Sequence, residues 1–204
     1  SFTFDRRGRQ ITAAQAGATT ATRLHDDAGN LLSEAYSGGS LSGLVVTNTY
    51  DEYLRRNTLS LLDSQSTSLA STAYGYDGAS RLQTVSDGVN SAAYTYLAYS
   101  PLVSQIDFAA NSTPVMSTLK QYDFLNRLTN ISTVNSAQEM LDSHAYVCNS
   151  ANQRTRVTLA DGSYWRYEYD SLGQVTSGRK YWPDDTPVAG QQFQYGFDDI
   201  GNRK

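Results

Sequence analysis

Three side chains could ligate a metal or act as nucleophile and base: His25, His144 and Cys148. His144 and Cys148 stand four apart, a spacing that faces one side of a helix and also one side of a strand. A closed metal site needs further ligands, and none follows. Cys148 and His25 instead hold a slot filled elsewhere by Tyr or Phe, so each reads as a packing substitute. Serines are plentiful, but none lies in G-x-S-x-G, and only two histidines could serve as base. The pairs Asp26-Asp27, Asp184-Asp185 and Asp198-Asp199 could divide acid and base roles on a glycoside. Asp26 and Asp198, however, occupy a recurring turn position, and Asp184-Asp185 follows Pro183 in a loop. No calcium loop or phosphate-cradling glycine loop is present. The chain therefore reads as a non-enzyme without metal or cofactor. Its remaining chemical feature is aromatic: Tyr164-Trp165-Arg166-Tyr167 and Tyr181-Trp182-Pro183. Packing on a sheet face is the expected role of these rings, and stacking of a sugar on Trp165 or Trp182 is the alternative.

The elements that carry these residues recur. An aromatic–Asp pair appears every twenty-odd residues, with the Asp position filled by Asp5, Asp26, Asp51, Asp77, Leu97, Asp123, Asn149, Asp170 and Asp198. A mean step of about 24 residues is the length of one supersecondary unit. The residue before is Phe4, His25, Tyr50, Tyr76, Tyr96, Tyr122, Cys148, Tyr169 or Phe197. Two residues further back lie Phe2, Arg23, Asn48, Tyr74, Tyr94, Lys120, Tyr146, Tyr167 and Tyr195. Positions two apart share a strand face, so the pairs predict an aromatic stripe.

Three residues after the Asp position come Gly8, Gly29, Leu54, Ser80, Ser100, Asn126, Asn152, Gly173 and Gly201. Gly and Asn accept positive φ, and an Asp can bond its own backbone two residues on. The spacing predicts a type I turn closed by a left-handed residue. Leu54 fits this poorly and predicts another turn or strain. Leu97 is a departure from the pattern. Second turns are signalled by Gly38-Gly39, Asp87-Gly88, Asp161-Gly162 and Pro183-Asp184-Asp185. Each repeat thus reads as strand, tight turn, strand, looser turn, all antiparallel. Ser136 to Ser143 is the one stretch that could form a helical turn.

Composition agrees with a β protein: 15 of 204 residues are Tyr and 18% are charged. A net charge of −4 gives no basic stripe for nucleic acid. No apolar run approaches the roughly 20 residues that span a bilayer as a helix. The repeat runs through residues 1–204, which reads as a single array of about nine units. Both ends cut through a unit, so the chain is expected to be a fragment of a longer array. Its two unpaired strand edges predict self-association or closure into a smaller barrel-like form.

The units YGYDGASRL, QYDFLNRL, YEYDSLGQV and YGFDDIGNR resemble the YD repeats of Rhs (rearrangement hotspot) proteins, of the B and C components of insecticidal toxin complexes, and of teneurins. The resemblance implies an all-β fold of consecutive antiparallel hairpins in a curled or spiralling sheet, with little or no helix. It further implies a segment of a shell that encapsulates or scaffolds an effector in a secreted or cell-surface, bacterial parent protein. Its partners would be the rest of that shell and the enclosed effector. The family's repeats have also been considered carbohydrate-binding, which keeps a glycan partner as the alternative. The D-P-x-G motif of the self-cleaving shell end is absent from these residues, so no protease or toxin residue carries over. Only the turn and aromatic positions do, and their implied role is architectural.

Overall fold

A computed structural model of the chain describes residues 1–15 and 17–204. These residues form seventeen strands and one three-residue 3-10 turn, Gly39–Leu41. They divide into two compact units, Ser1–Ala93 with Ala109–Thr113, and Tyr94–Phe108 with Pro114–Lys204. The first contains β1 (Phe2–Phe4), β2 (Gln10–Ala14), β3 (Thr20–His25), β4 (Leu31–Ser37), β5 (Val45–Tyr50), β6 (Arg56–Leu62), β7 (Ser68–Tyr76), β8 (Leu82–Ser86) and the start of β9 (Asn90–Tyr96). The second contains most of β10 (Val103–Ala110) and β11 (Thr113–Tyr122), followed by β12 (Leu128–Asn135), β13 (Met140–Cys148), β14 (Arg154–Leu159), β15 (Tyr164–Tyr169), β16 (Val175–Tyr181) and β17 (Pro187–Gln194).

Within each unit strands pair antiparallel with their sequence neighbours, as the short connections require. The fold class read from the repeat is therefore correct: the chain is all-β and built from consecutive antiparallel hairpins. The helical turn considered for Ser136 to Ser143 does not form. Asn135 opens a tight turn there, Gln138 takes φ 64, and β13 begins at Met140.

Each tight turn is followed by an irregularity at a fixed place. The register slips by one residue beside His25, Tyr50, Tyr76, Tyr122, Cys148 and Tyr169, each time leaving one extra residue on the outgoing strand. A bulge of this kind bends the strand and raises its local twist. It also leaves backbone groups outside the ladder. The pairing of β4 with β5 ends at Ser33↔Thr47, that of β6 with β7 at Thr58↔Ala73, and that of β14 with β15 at Arg156↔Arg166. Two residues beyond each end lie Leu31, Arg56 and Arg154, which pair with the preceding strand but with no residue of the following one.

The aromatic before the next turn reaches their carbonyls. The hydroxyl of Tyr50 donates to the Leu31 carbonyl at 3.0 Å, Tyr76 to Arg56 at 2.9 Å, and Tyr169 to Arg154 at 2.7 Å. Tyr122 donates to the Val103 carbonyl at 2.9 Å in the same manner. The recurrent residue must therefore be Tyr and not Phe wherever the bond is made: the ring lies across the hairpin junction and the hydroxyl fastens it.

Little is buried. Ala21, Val134, Val157 and Tyr164 are the buried hydrophobic residues among those described. The accessible surface is 13129 Å², against about 9,400 Å² expected for a globular chain of this mass. Side chains as large as Phe2, Phe4, Leu24, Leu69, Val115 and Leu141 remain exposed. The strands are held to one another by edge and junction bonds more than by a core.

Replacing Tyr50 or Tyr122 by Phe keeps the ring and removes the bond. Each is expected to lower the unfolding free energy by about 1 kcal/mol in urea denaturation. Tyr76→Phe should cost less, because the Arg56 carbonyl is solvent-exposed and water can replace the hydroxyl. Unchanged urea midpoints for Tyr50→Phe and Tyr122→Phe would contradict the clasp.

Candidate functional site

Two features bring the sequence-selected residues together: the row of tight turns and an aromatic cleft on β15 to β17. In the turns, Asp5, Asp26, Asp51, Asp77, Asp123, Asn149, Asp170 and Asp198 share one geometry. The N–H three residues on donates to the carbonyl of the Asp position, and its own N–H donates to the carbonyl four residues on. The side-chain oxygen accepts further backbone N–H groups, as when Asp77 takes those of Ala79 and Arg81 at 2.9 Å. Gly8, Gly29, Asn126, Asn152, Gly173 and Gly201 supply the left-handed residue. Leu54 adopts the same turn, with φ 62, so strain replaces the alternative turn that its side chain suggested. Leu97 opens a wider loop closed by Leu102, with Tyr99 at φ 55.

The fourth residue after the Asp position was missed by the sequence reading, although its signal is plain. In these eight turns it is Arg9, Asn30, Arg55, Arg81, Arg127, Gln153, Gln174 or Asn202, each a donor. Arg9, Arg55 and Arg127 pair with the turn carboxylate at 2.6 to 2.7 Å. They also reach the next turn: Arg9 donates to the Asp26 carbonyl, Arg55 to the Ser80 hydroxyl, and Arg127 to the Asn149 carbonyl and the Asn152 side chain. Asp63 and Asn135 build the same turn out of phase with the repeat, with Ser66 and Gln138 as left-handed residues. No Gly marks them in the sequence.

These bonds hold the carboxylates below their ordinary range. For Asp5, Asp77 and Asp123 the main cause is the backbone N–H of the residue four on. For Asp26, Asp51 and Asp198 it is that residue's side chain. Asp87, in the two-residue turn of β8 and β9, is lowered to about 2, chiefly by the Asn90 side chain.

The cleft has a volume of 480 Å³ and is lined by Arg154, Trp165, Tyr167, Tyr169, Val175, Gly178, Phe193 and Tyr195. Trp165, Tyr167 and Tyr169 alternate along β15 and so share one face. Gly178 stands opposite Tyr167 on one side and Phe193 on the other. Its missing side chain opens the floor. Trp165 is near-parallel to Tyr167, at 6.3 Å and 11°, and to Phe193, at 6.1 Å and 12°. Burial pushes the Tyr167 hydroxyl above its ordinary range. The Arg154 guanidinium lies over Tyr146 at 3.9 Å and that of Arg203 over Tyr195 at 4.3 Å.

The opposite face is closed. Tyr164 is fully buried, stacks on Tyr181 at 5.3 Å, lies under the Arg156 guanidinium, and donates its hydroxyl to Asp185. Trp182 lies outside the cleft, opens the turn to Thr186 and is 47% exposed. Tyr74 and Tyr76 share a face of β7, whereas Tyr94 and Tyr96 end β9 and Phe197 bridges Arg203. His144 contacts Asp142 at 3.5 Å and stacks on Tyr146. Among the described residues no three His, Cys, Asp or Glu converge as metal ligands would.

Because the folded turn carboxylates are lowered, their stabilisation is present above the ordinary value of 3.8 and is lost as pH falls through the folded values, for Asp87 toward about 2. The urea midpoint of the chain should therefore decline between about pH 4 and pH 2. A variant with Asp51→Asn, Asp77→Asn and Asp123→Asn should be less stable at pH 7 and show a shallower decline. Parallel pH profiles for the two proteins would contradict this.

Comparison with known proteins gives one repeat match and a fold. Residues 149–182 match the RHS Repeat family. No curated protein matches the sequence. Among solved structures, TcdB2-TccC3 without its hypervariable C-terminal region aligns over 99% of this chain with a TM-score of 0.59 and 16% identity. TcdB2-TccC3-TEV aligns over 99% with a TM-score of 0.58 and 14% identity. This chain spans only 12% of either solved chain. The matched segment contains the Asn149 and Asp170 turns, the Tyr169 clasp and most of the cleft. Residues 149–182 thus match an RHS repeat, and the chain shares the fold of the TcdB2-TccC3 structures.

Proposed function

We propose that the chain is one stretch of wall in a secreted or cell-surface bacterial YD-repeat protein whose single array encloses or scaffolds an effector. The observation that carries this reading is the junction chemistry. Four junctions use a Tyr hydroxyl, and three turns an Arg, to bond a neighbouring unit, so the unit can be extended without a core. Such a wall excludes solvent and proteases by continuity, and no catalytic residue is required. The exposed Phe2, Phe4, Leu69 and Leu141 are then covered by the rest of the wall and by the enclosed polypeptide, or by self-association when the chain is isolated. In a full-length polypeptide bearing these repeats, the enclosed segment should survive a non-specific protease that degrades the same segment expressed alone. Equal degradation rates would overturn the reading.

The cleft favours a second reading, binding of a saccharide. Its near-parallel Trp165, Tyr167 and Phe193 rings offer the faces on which a pyranose stacks. With Trp182 replaced by Phe, titration with a broad glycan panel should change Trp165 fluorescence for at least one member. A flat response throughout the panel removes this reading.

A further inference from the structure

We propose that the tight-turn edge of the second unit joins a second copy of this chain about a two-fold axis at the Asn149 turn, through the apolar tips Tyr99, Phe124, Leu125, Leu172 and Ile200. The contact depends neither on the open strand edges nor on the wall reading.

Antiparallel pairing places alternate reversals on the same edge of a sheet. In the second unit, Tyr94–Phe108 with Pro114–Lys204, the Leu97 loop and the Asp123, Asn149, Asp170 and Asp198 turns therefore follow one another along one edge. Two strands separate each from the next, a step of about 10 Å. Their central residues are Ala98-Tyr99, Phe124-Leu125, Ser150-Ala151, Ser171-Leu172 and Asp199-Ile200. Tyr99 and Phe124 are exposed to 108% and 107%, and Leu125, Leu172 and Ile200 to between 70% and 86%. Turn centres ordinarily favour Gly, Pro, Asn, Asp or Ser. The reversals on the other edge of this unit carry Ser136-Ala137, Ala160-Asp161 and Pro183-Asp184 there. In the first unit the tight turns carry Arg6-Arg7, Asp27-Ala28 and Gly78-Ala79, with Tyr53 at the Asp51 turn as the exception. The row of apolar tips is therefore local, and turn chemistry does not require it.

The order of the tips points to a second copy. Large tips flank the small Ser150-Ala151 turn on both sides. A two-fold axis at that turn sets Phe124 and Leu125 against the partner's Leu172, and Tyr99 against the partner's Ile200. An isologous contact needs a surface that matches itself in this way. The small centre lets the two edges approach, and each ring meets an aliphatic chain. The charges permit it. Asp123, Asp170 and Asp198 turn their carboxylates onto N–H groups of their own turns. The Leu97 loop, which would face Asp199, has no charged residue. Arg127 ties the Asp123 turn to the Asn149 turn, so these tips are held in place before association. Each aromatic tip offers about 150–250 Å². With the aliphatic tips the edge covers roughly 700 Å² per copy, close to the ~800 Å² of a standard interface. A lipid surface would take the same tips, but it has no use for a small central turn with large tips on both sides.

Sedimentation velocity of the chain should show a monomer–dimer equilibrium with a dissociation constant on the order of 10 µM. Phe124→Ser with Leu172→Ser should weaken the dimer at least about tenfold. Ala151→Arg should weaken it as much, although every apolar tip is kept. The urea midpoints should match that of the parent, because these side chains are exposed in the single chain. Crosslinking reads the arrangement. In a Cys148→Ala background, Ala151→Cys should form a disulfide-linked dimer under mild oxidation, because the axis sets this residue against itself. Phe124→Cys and Leu172→Cys should each remain uncrosslinked alone and crosslink when mixed. A monomer at every concentration overturns the proposal, as does association that the serine or arginine variants leave unchanged. Crosslinking of Phe124→Cys with itself overturns the two-fold arrangement. A monomer that binds phosphatidylcholine vesicles overturns the second copy in favour of lipid.

Discussion

A Tyr hydroxyl fastened to a junction carbonyl recurs four times in this architecture. At the junctions of Leu31, Arg56 and Arg154 the carbonyl stands beyond the end of pairing with the following strand. An unpaired carbonyl in a partly covered junction is costly. The remedy is a side chain from the next repeat: the Tyr before the following turn spans the gap and donates its hydroxyl. The Asp that follows this Tyr then fixes where the chain reverses. Tyr and Asp are adjacent because one closes the old junction and the other begins the new turn.

The consequence is a protein whose cohesion is distributed. With few buried side chains, a hydrophobic core cannot supply most of the stability. Local turn bonds, the Asp–Arg pairs and the Tyr clasps supply small increments, repeated along the chain. Exposed ion pairs alone contribute little. Arg9, Arg55 and Arg127 gain importance because each also bonds the adjacent turn, converting a local pair into a link between units. Stability in such an array is approximately additive over neighbours. Its exposed apolar side chains make sense as a surface awaiting cover.

Much of this was legible in the sequence, and the remainder was hidden for definable reasons. Strand alternation and antiparallel hairpins followed from the period and from short connections. The turn at Asp77 could be read because Asx geometry is local. The turns at Asp63 and Asn135 escaped because Ser66 and Gln138 adopt positive φ without the Gly or Asn that usually signals it. At Asn135 the following residues even suggested helix. The Tyr clasp was invisible because its acceptor is a backbone carbonyl 15 to 20 residues away, which no pattern of residue types records. The stripe was read as packing, and four of its hydroxyls also donate to backbone carbonyls. Trp165 and Trp182 looked equivalent in sequence, but strand alternation sends one into a cleft and a turn leaves the other in solvent.

In the proposed wall, seams closed by the chain's own side chains would allow the array to be lengthened by adding repeats. The central claim is that neighbouring hairpins are fastened at the junction carbonyl. Amide hydrogen exchange of Tyr122→Phe measures this directly. Exchange should accelerate in β10 and β11, around Val103, while β2 to β4 remain as in the parent chain. Uniform acceleration through the whole chain, or none anywhere, would contradict the account.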